Sequence, residues 1–214
     1  MKKMLTLPLV AILLLSMAST ALAYDEEITW QGIPWGCSVG EVKYLLLDKG
    51  IVTDESEMSL ENGYNQIFLM DADGSEIGFD LIDPTDPYVA TITIDRPQFT
   101  VSGYAVERIC FIFAKADENN TQLLTVGIAF SENGIYKDLQ KTFTSVYGKA
   151  KTGKNFFGNE FITVEGANNT SVTLFKTSTT FNETLLYGKL DGLEIVESMI
   201  DPGSDTEEKT EVGL

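Results

Sequence analysis

Gly103-Tyr-Ala-Val-Glu-Arg-Ile-Cys-Phe-Ile-Phe-Ala-Lys115 and Gln122-Leu-Leu-Thr-Val-Gly-Ile-Ala-Phe130 are two long runs with period-2 patterning. Between them lies Ala116-Asp-Glu-Asn-Asn-Thr121, a polar stretch with no periodicity of its own. Side chains alternate between the two faces of a strand, so such runs read as paired strands joined by a meander loop. Ile109, Phe111 and Phe113, then Leu124, Val126, Ile128 and Phe130, are the expected core positions. Upstream, residues 88–95 alternate again: Tyr88, Ala90, Ile92 and Ile94 against Val89, Thr91, Thr93 and Asp95. Runs 64–70 and 76–82 flank Asp71-Ala-Asp-Gly-Ser75 and predict a hairpin with Asp-Gly at its turn.

Two stretches switch to the helical period. Ser38-Val-Gly-Glu41 is an S-x-x-E capping box, and Val39, Val42, Leu45 and Leu46 follow at helical spacing, with Gly50 placed as terminator. This predicts a helix over 38–49. Ile135, Leu139, Phe143, Val146 and Tyr147 form a stripe in 134–147, with Ser131 or Asn133 as cap and Gly148 after the end. Short strands follow near 160–165, 170–177 and 184–188, with 193–199 either helix or strand. The order is helix, antiparallel strands, helix, antiparallel strands. It predicts an α+β fold of two helix-plus-antiparallel-meander units, 24–130 and 131–200, with the helices on one face of the sheet. The units fit a diverged tandem duplication, although no residue-level repeat stands out.

The N-terminus reads as an address. Lys2 and Lys3 precede an apolar run from Leu5 to Leu15, and Ala21-Leu-Ala23 is a small-x-small cleavage site. This is the layout of a secretory signal peptide cut between Ala23 and Tyr24. The run is too short for the ~20 residues of a membrane span. The expected location is secreted or periplasmic, with no transmembrane segment in the mature form. The 214-residue chain has a net charge of −17 and no histidine. Loss of a leader holding two lysines and no acids makes the mature charge −19. Such a charge argues against a nucleic-acid partner. The missing histidine removes Ser-His-Asp and Cys-His chemistry. The stretch 201–214, with five acids and one lysine, reads as an acidic disordered tail.

Motif readings mostly fail on context. Gly148-Lys-Ala-Lys-Thr-Gly-Lys-Asn155 approaches a phosphate-cradling loop. However, a helix precedes it, a strand follows, and Asn155 replaces the magnesium-binding hydroxyl, so no nucleotide is expected. Asp71–Glu76 hints at a calcium loop but has its glycine at the wrong place. Lys137, Lys141, Lys149, Lys151 and Lys154 cluster on a helix face and the following loop, either solvated or docking an anionic surface. Cys37 and Cys110 either pair as a disulfide in an oxidising compartment or stand as two thiols. The reading assigns no catalytic residue, no metal ligand and no cofactor.

The stretch Ile28-Thr-Trp-Gln-Gly-Ile-Pro-Trp-Gly-Cys-Ser-Val-Gly-Glu-Val42 resembles the mature start of exported bacterial proteins of unknown function with an I-P-W-G-like motif. Leu139 to Gly148, with its Val-Tyr-Gly-Lys ending, resembles their second helix. The helix-then-meander order is similar to β-lactamase-inhibitor-protein-like folds and to small outer-membrane assembly lipoproteins, whose anchor cysteine this chain lacks. The resemblance implies interaction rather than catalysis, and Trp30 and Trp35, which carry it, are expected mostly in the core, sealing the first helix onto the sheet. The reading is therefore an exported, non-enzymatic protein with a protein or cell-envelope partner. The alternatives are a carboxylate-dependent extracytoplasmic hydrolase and an inhibitor of an extracellular enzyme. Candidate contacts come from the sheet face opposite the core: Thr91, Thr93, Tyr104 and Arg108, then Thr173 and Phe175. That face either lies open to a partner or forms a second core layer.

Overall fold

A computed structural model of the protein describes residues 24–62, 69–70, 76–77, 88–154, 159–176 and 183–200. The expected leader and acidic tail lie outside the described residues, as do the 71–75 turn and most of the hairpin around it. The helices are α1 (Val39–Asp48), α2 (Tyr136–Tyr147) and α3 (Gly192–Ile200). The first strands are β1 (Ser59–Asn62), β2 (Leu69–Met70), β3 (Glu76–Ile77), β4 (Val89–Asp95) and β5 (Thr100–Val101). The long central pair is β6 (Tyr104–Asp117) and β7 (Asn120–Phe130). The last are β8 (Lys151–Lys154), β9 (Glu160–Gly166), β10 (Thr170–Phe175) and β11 (Thr184–Lys189).

One antiparallel sheet holds nine of these strands, in the order β1-β4-β6-β7-β11-β10-β9-β8, with β5 paired to β6. The expected pair of helix-plus-sheet units is overturned. β7 hydrogen-bonds to β11 over Thr125–Ala129, so the strands of both halves share a single ladder. Strand accounts for 45% of the described residues against 23% helix, which makes the chain mainly β rather than α+β. The reason lies in edges. Each four-stranded meander would leave a long apolar strand unpaired, and pairing β7 with β11 satisfies both backbones at once.

The local devices explain the elements. Ser38 caps α1: its hydroxyl accepts from the Glu41 N–H at 3.3 Å, and the Glu41 carboxylate accepts from the Ser38 N–H at 2.8 Å. At the far end Gly50 N–H donates to the Leu47 carbonyl and Ile51 N–H to that of Leu46, a Schellman closure with Gly50 at φ +65°. The β6–β7 connection is tighter than the expected 116–121 loop. Asp117 pairs with Asn120, and the Asp117 carboxylate accepts from the N–H groups of Asn119 and Asn120. Asn168 and Asn169, both at positive φ, turn β9 into β10, as a type I′ turn requires.

The main core lies on one face of the sheet. It joins Val42 and Leu46 of α1 and Leu139 and Phe143 of α2 to Ile92, Ile109, Phe111, Phe113, Val126 and Ile128. Trp30 is buried edge-on to Phe111 at 5.4 Å, and Trp35 packs at the margin with its indole N–H on the Ile28 carbonyl. The opposite face is not open. Thr91, Cys110, Ile112, Thr125, Thr163, Thr173 and Phe175 are all buried. α3 packs against β6 while none of its described side chains joins the main core, which places it over this second face. The expectation of helices confined to one face is corrected accordingly.

Of three register shifts along β6 and β7, two reset the alternation of the core positions. A register shift between Val106 and Arg108 leaves Glu107 as the extra residue, so Val106 enters the main core instead of pointing away from it. A second shift sets Ile112 opposite Thr125 but Phe113 opposite Leu123. Leu123 therefore takes the core place expected for Leu124. Ser131 and Asn133 do not cap α2, whose N-cap is Ile135 without a side-chain bond.

Candidate functional site

A cavity of about 120 Å³ lies between α2 and the sheet. Leu139 and Phe143 of α2 form one wall, and Phe130, Leu174, Leu185 and Tyr187 of the sheet form the other. Ser102, Thr142 and Val146 also line it and are exposed, so they mark the mouth. Val146 belongs to the apolar stripe read from the sequence, yet its side chain is 58% exposed. A helix buries a stripe about 100° wide, and this one reaches past that width.

Two of the lining residues carry phenols. Tyr147 donates its hydroxyl to that of Tyr187 at 3.3 Å. Burial, and then the neighbouring Tyr147, push the Tyr187 phenol far above its ordinary range. Burial raises Tyr147 as well. Both stay neutral and can only exchange hydrogen bonds. Aromatic neighbours fix Tyr147: Phe143 lies at 5.1 Å and Tyr24 meets it edge-on at 5.6 Å. Tyr24 is held there because the segment behind it is tied to β9 and β10. Glu27 bridges to Ala167, and Ile28 N–H donates to the Thr170 hydroxyl at 2.9 Å. No carboxylate lines the cavity. The buried carboxylate of Glu183 holds the start of α2 by accepting from Gly134 N–H at 2.9 Å.

The expected contact residues do not form one surface. Thr91, Thr173 and Phe175 are buried under the second face, and Thr93 is half-buried. Thr173 donates to the Thr163 hydroxyl at 2.8 Å, and Phe175 packs on Phe161. The bulge at Glu107 separates the other two. Tyr104 packs on the main-core side and donates its hydroxyl to Asp138 at 3.1 Å, whereas Arg108 lies on the second face, 2.6 Å from Asp95. Cys37 and Cys110 are free thiols. Cys37 packs at the main core, but Cys110 sits across the sheet opposite Thr93, with Sγ 3.9 Å from its hydroxyl, so the sheet stands between the sulfurs. Burial raises the Cys37 thiol above its usual range.

Of the lysine cluster, Lys141 is paired with Asp138 at 2.7 Å and Lys151 with Glu165, both as surface ion pairs with the lysines exposed. Lys151–Lys154 is an edge strand, not a loop opening a helix. The described residues contain no group of acids and cysteines placed to hold a metal ion. No described helix is long and apolar enough to cross a membrane. The cavity residues Tyr147 and Tyr187 carried no sequence signal beyond membership of an apolar helix stripe and a short strand. Only the over-wide stripe, with Val146 and Tyr147 adjacent, distinguishes the end of α2 that lines the cavity. Comparison of the chain with protein-family models, curated proteins and solved structures finds no match.

Proposed function

We propose that this chain is an exported, non-enzymatic binding protein whose cavity under α2 receives an apolar side chain from a protein partner in the cell envelope or medium. The cavity carries the reading. At about 120 Å³ it falls well below the ~300–1,000 Å³ of ordinary small-molecule sites. It is close in size to the apolar space one buried side chain fills, and interfaces concentrate their binding energy in such anchor pockets. Its lining offers phenols and hydroxyls but no carboxylate pair, which favours recognition over hydrolysis. Export is supported by the two lysines, apolar run and Ala-Leu-Ala ending of residues 1–23.

The test uses the chain starting at Tyr24 as bait against producer envelope and medium. The comparison is Thr142→Trp, a substitution at an exposed mouth position that would fill the cavity. A partner retained by the parent and lost by Thr142→Trp, with both proteins melting alike, is the expected result. A partner retained equally by both would remove the cavity from the binding site.

A further inference from the structure

Resting on the binding reading above, we infer that the cavity's occupant is a phenol, the tyrosine side chain of the partner, with its ring in the apolar space and its hydroxyl bonded to the Tyr147–Tyr187 pair.

Size sets the first limit. Dry apolar cavities of ~150 Å³ take up benzene, so about 120 Å³ fits a single six-membered ring and little more. The lining sets the second. Leu139, Leu174 and Leu185 with the Phe130 and Phe143 rings give dispersion contacts to a flat ring and nothing to an ion. A charged side chain entering here would be desolvated without a counter-charge.

Hydroxyl accounting sets the third. Each phenol carries one donor proton and acceptor lone pairs. Between Tyr147 and Tyr187 one proton is used in their mutual bond, and neither makes another hydrogen bond among the described residues. One proton and several lone pairs therefore remain on two residues that line the cavity. Both phenols stay protonated across the working pH range because burial raises them, so the donor persists. A leucine or phenylalanine side chain that covered the pair would shut it off from water and leave the donor unmet, which is costly. A hydroxyl at the para position of the entering ring can accept that proton and donate back. The phenol pair is then a specificity device: it disfavours isosteric side chains that lack the hydroxyl.

The experiment titrates the chain starting at Tyr24 with two side-chain analogues, p-cresol and toluene, following the methyl signals of Val101, Leu139, Leu174 and Leu185 by NMR. In a purely apolar cavity toluene binds more tightly, because it gives up less hydration. The expected result is that p-cresol binds at least as tightly as toluene. The double variant Tyr147→Phe/Tyr187→Phe should then weaken p-cresol about five- to tenfold, the worth of a hydrogen bond, and leave toluene nearly unchanged. Removing both hydroxyls together leaves no orphan, so this variant is expected to fold. Thr142→Trp should abolish both responses. Toluene bound more tightly than p-cresol by the same ratio in parent and double variant would overturn the tyrosine assignment while leaving the anchor pocket standing. Binding of neither analogue would overturn both.

Discussion

A methyl group on Gly166 would fall 2.6 Å from the Glu26 carbonyl oxygen and 2.7 Å from the Ile28 side chain. The first of these is backbone and cannot swing aside. The close approach exists because the N-terminal segment lies across the β9–β10 turn, with Ala167 N–H donating to Glu26 at 3.0 Å. Gly166→Ala should therefore cost about 1–3 kcal/mol, the usual range for forced overpacking. That is a drop of several degrees in Tm for a chain of this size. It should also loosen Tyr24 from Tyr147, visible as lost ring-current shifts at Tyr147. An unchanged Tm would mean that the segment does not hold this place. Single residues also show where alternation misleads. Tyr104 and Arg108 are four apart and read as one face, yet a bulge at Glu107 sends them to opposite sides. The bulge follows from how β6 and β7 pair, a relation between strands that neither strand's own pattern contains. Cys110 was legible for the same reason in reverse: no bulge intervenes between it and Ile109 or Phe111, so alternation placed it away from the main core.

At the scale of elements, what the chain encodes locally was readable and what it borrows from afar was not. The α1 start needs only Ser38 and Glu41, three residues apart, and its end only Gly50. The start of α2 depends on Glu183, 49 residues away from Gly134, which accepts that backbone N–H in place of a local cap. Helix α1 gives a direct test. Ser38→Ala should destabilise the protein by about 1 kcal/mol, as N-cap losses do. Its partner Glu41 adds a pH dependence. The Ser38 backbone N–H and hydroxyl both donate to this carboxylate and hold it below its ordinary range. A carboxylate depressed in the folded state contributes stability that is present above its unfolded value and lost as the pH falls through its folded value. The Tm gap between the parent and Glu41→Gln should therefore be open at neutral pH and close on acidification through the carboxylate range. A gap that widened in acid would contradict the capping geometry. Glu57, which Thr53 holds down by hydroxyl and backbone donation, loses its contribution in acid in the same way, so parent and Glu41→Gln are compared at each pH.

At the scale of the molecule, the sequence carried the order of the central strands but neither the short strands β1, β5 and β8 nor the closure of all of them into one sheet. Each half reads as a helix followed by a meander, and nothing in either meander says which strand of the other it will join. The closure is a long-range solution: β7 and β11 pair Ala129 with Thr184 through Thr125 with Gly188, and Phe130 N–H donates to the Glu183 carbonyl. The main core crosses that seam. Val126, Ile128 and Phe130 from one side belong to the same cluster as Val172, Leu174, Leu185 and Tyr187 from the other. Separating the halves would bare the β7 backbone edge and split this cluster. Neither half has a complete core to retain, so the two should lose structure together. Thermal unfolding of the chain starting at Tyr24 should be a single transition, with coincident midpoints by far-UV circular dichroism, which reports all strands, and by fluorescence of Trp30 and Trp35, which reports the first half. The fragment 24–134 should lack that cooperative transition and should associate through its exposed β7 edge, as unpaired apolar edges do. Two resolved midpoints in the whole chain, or a monomeric fragment that melts cooperatively, would restore the halves as separate units and remove the seam as the element that binds α2, the cavity wall and the central strands into one body.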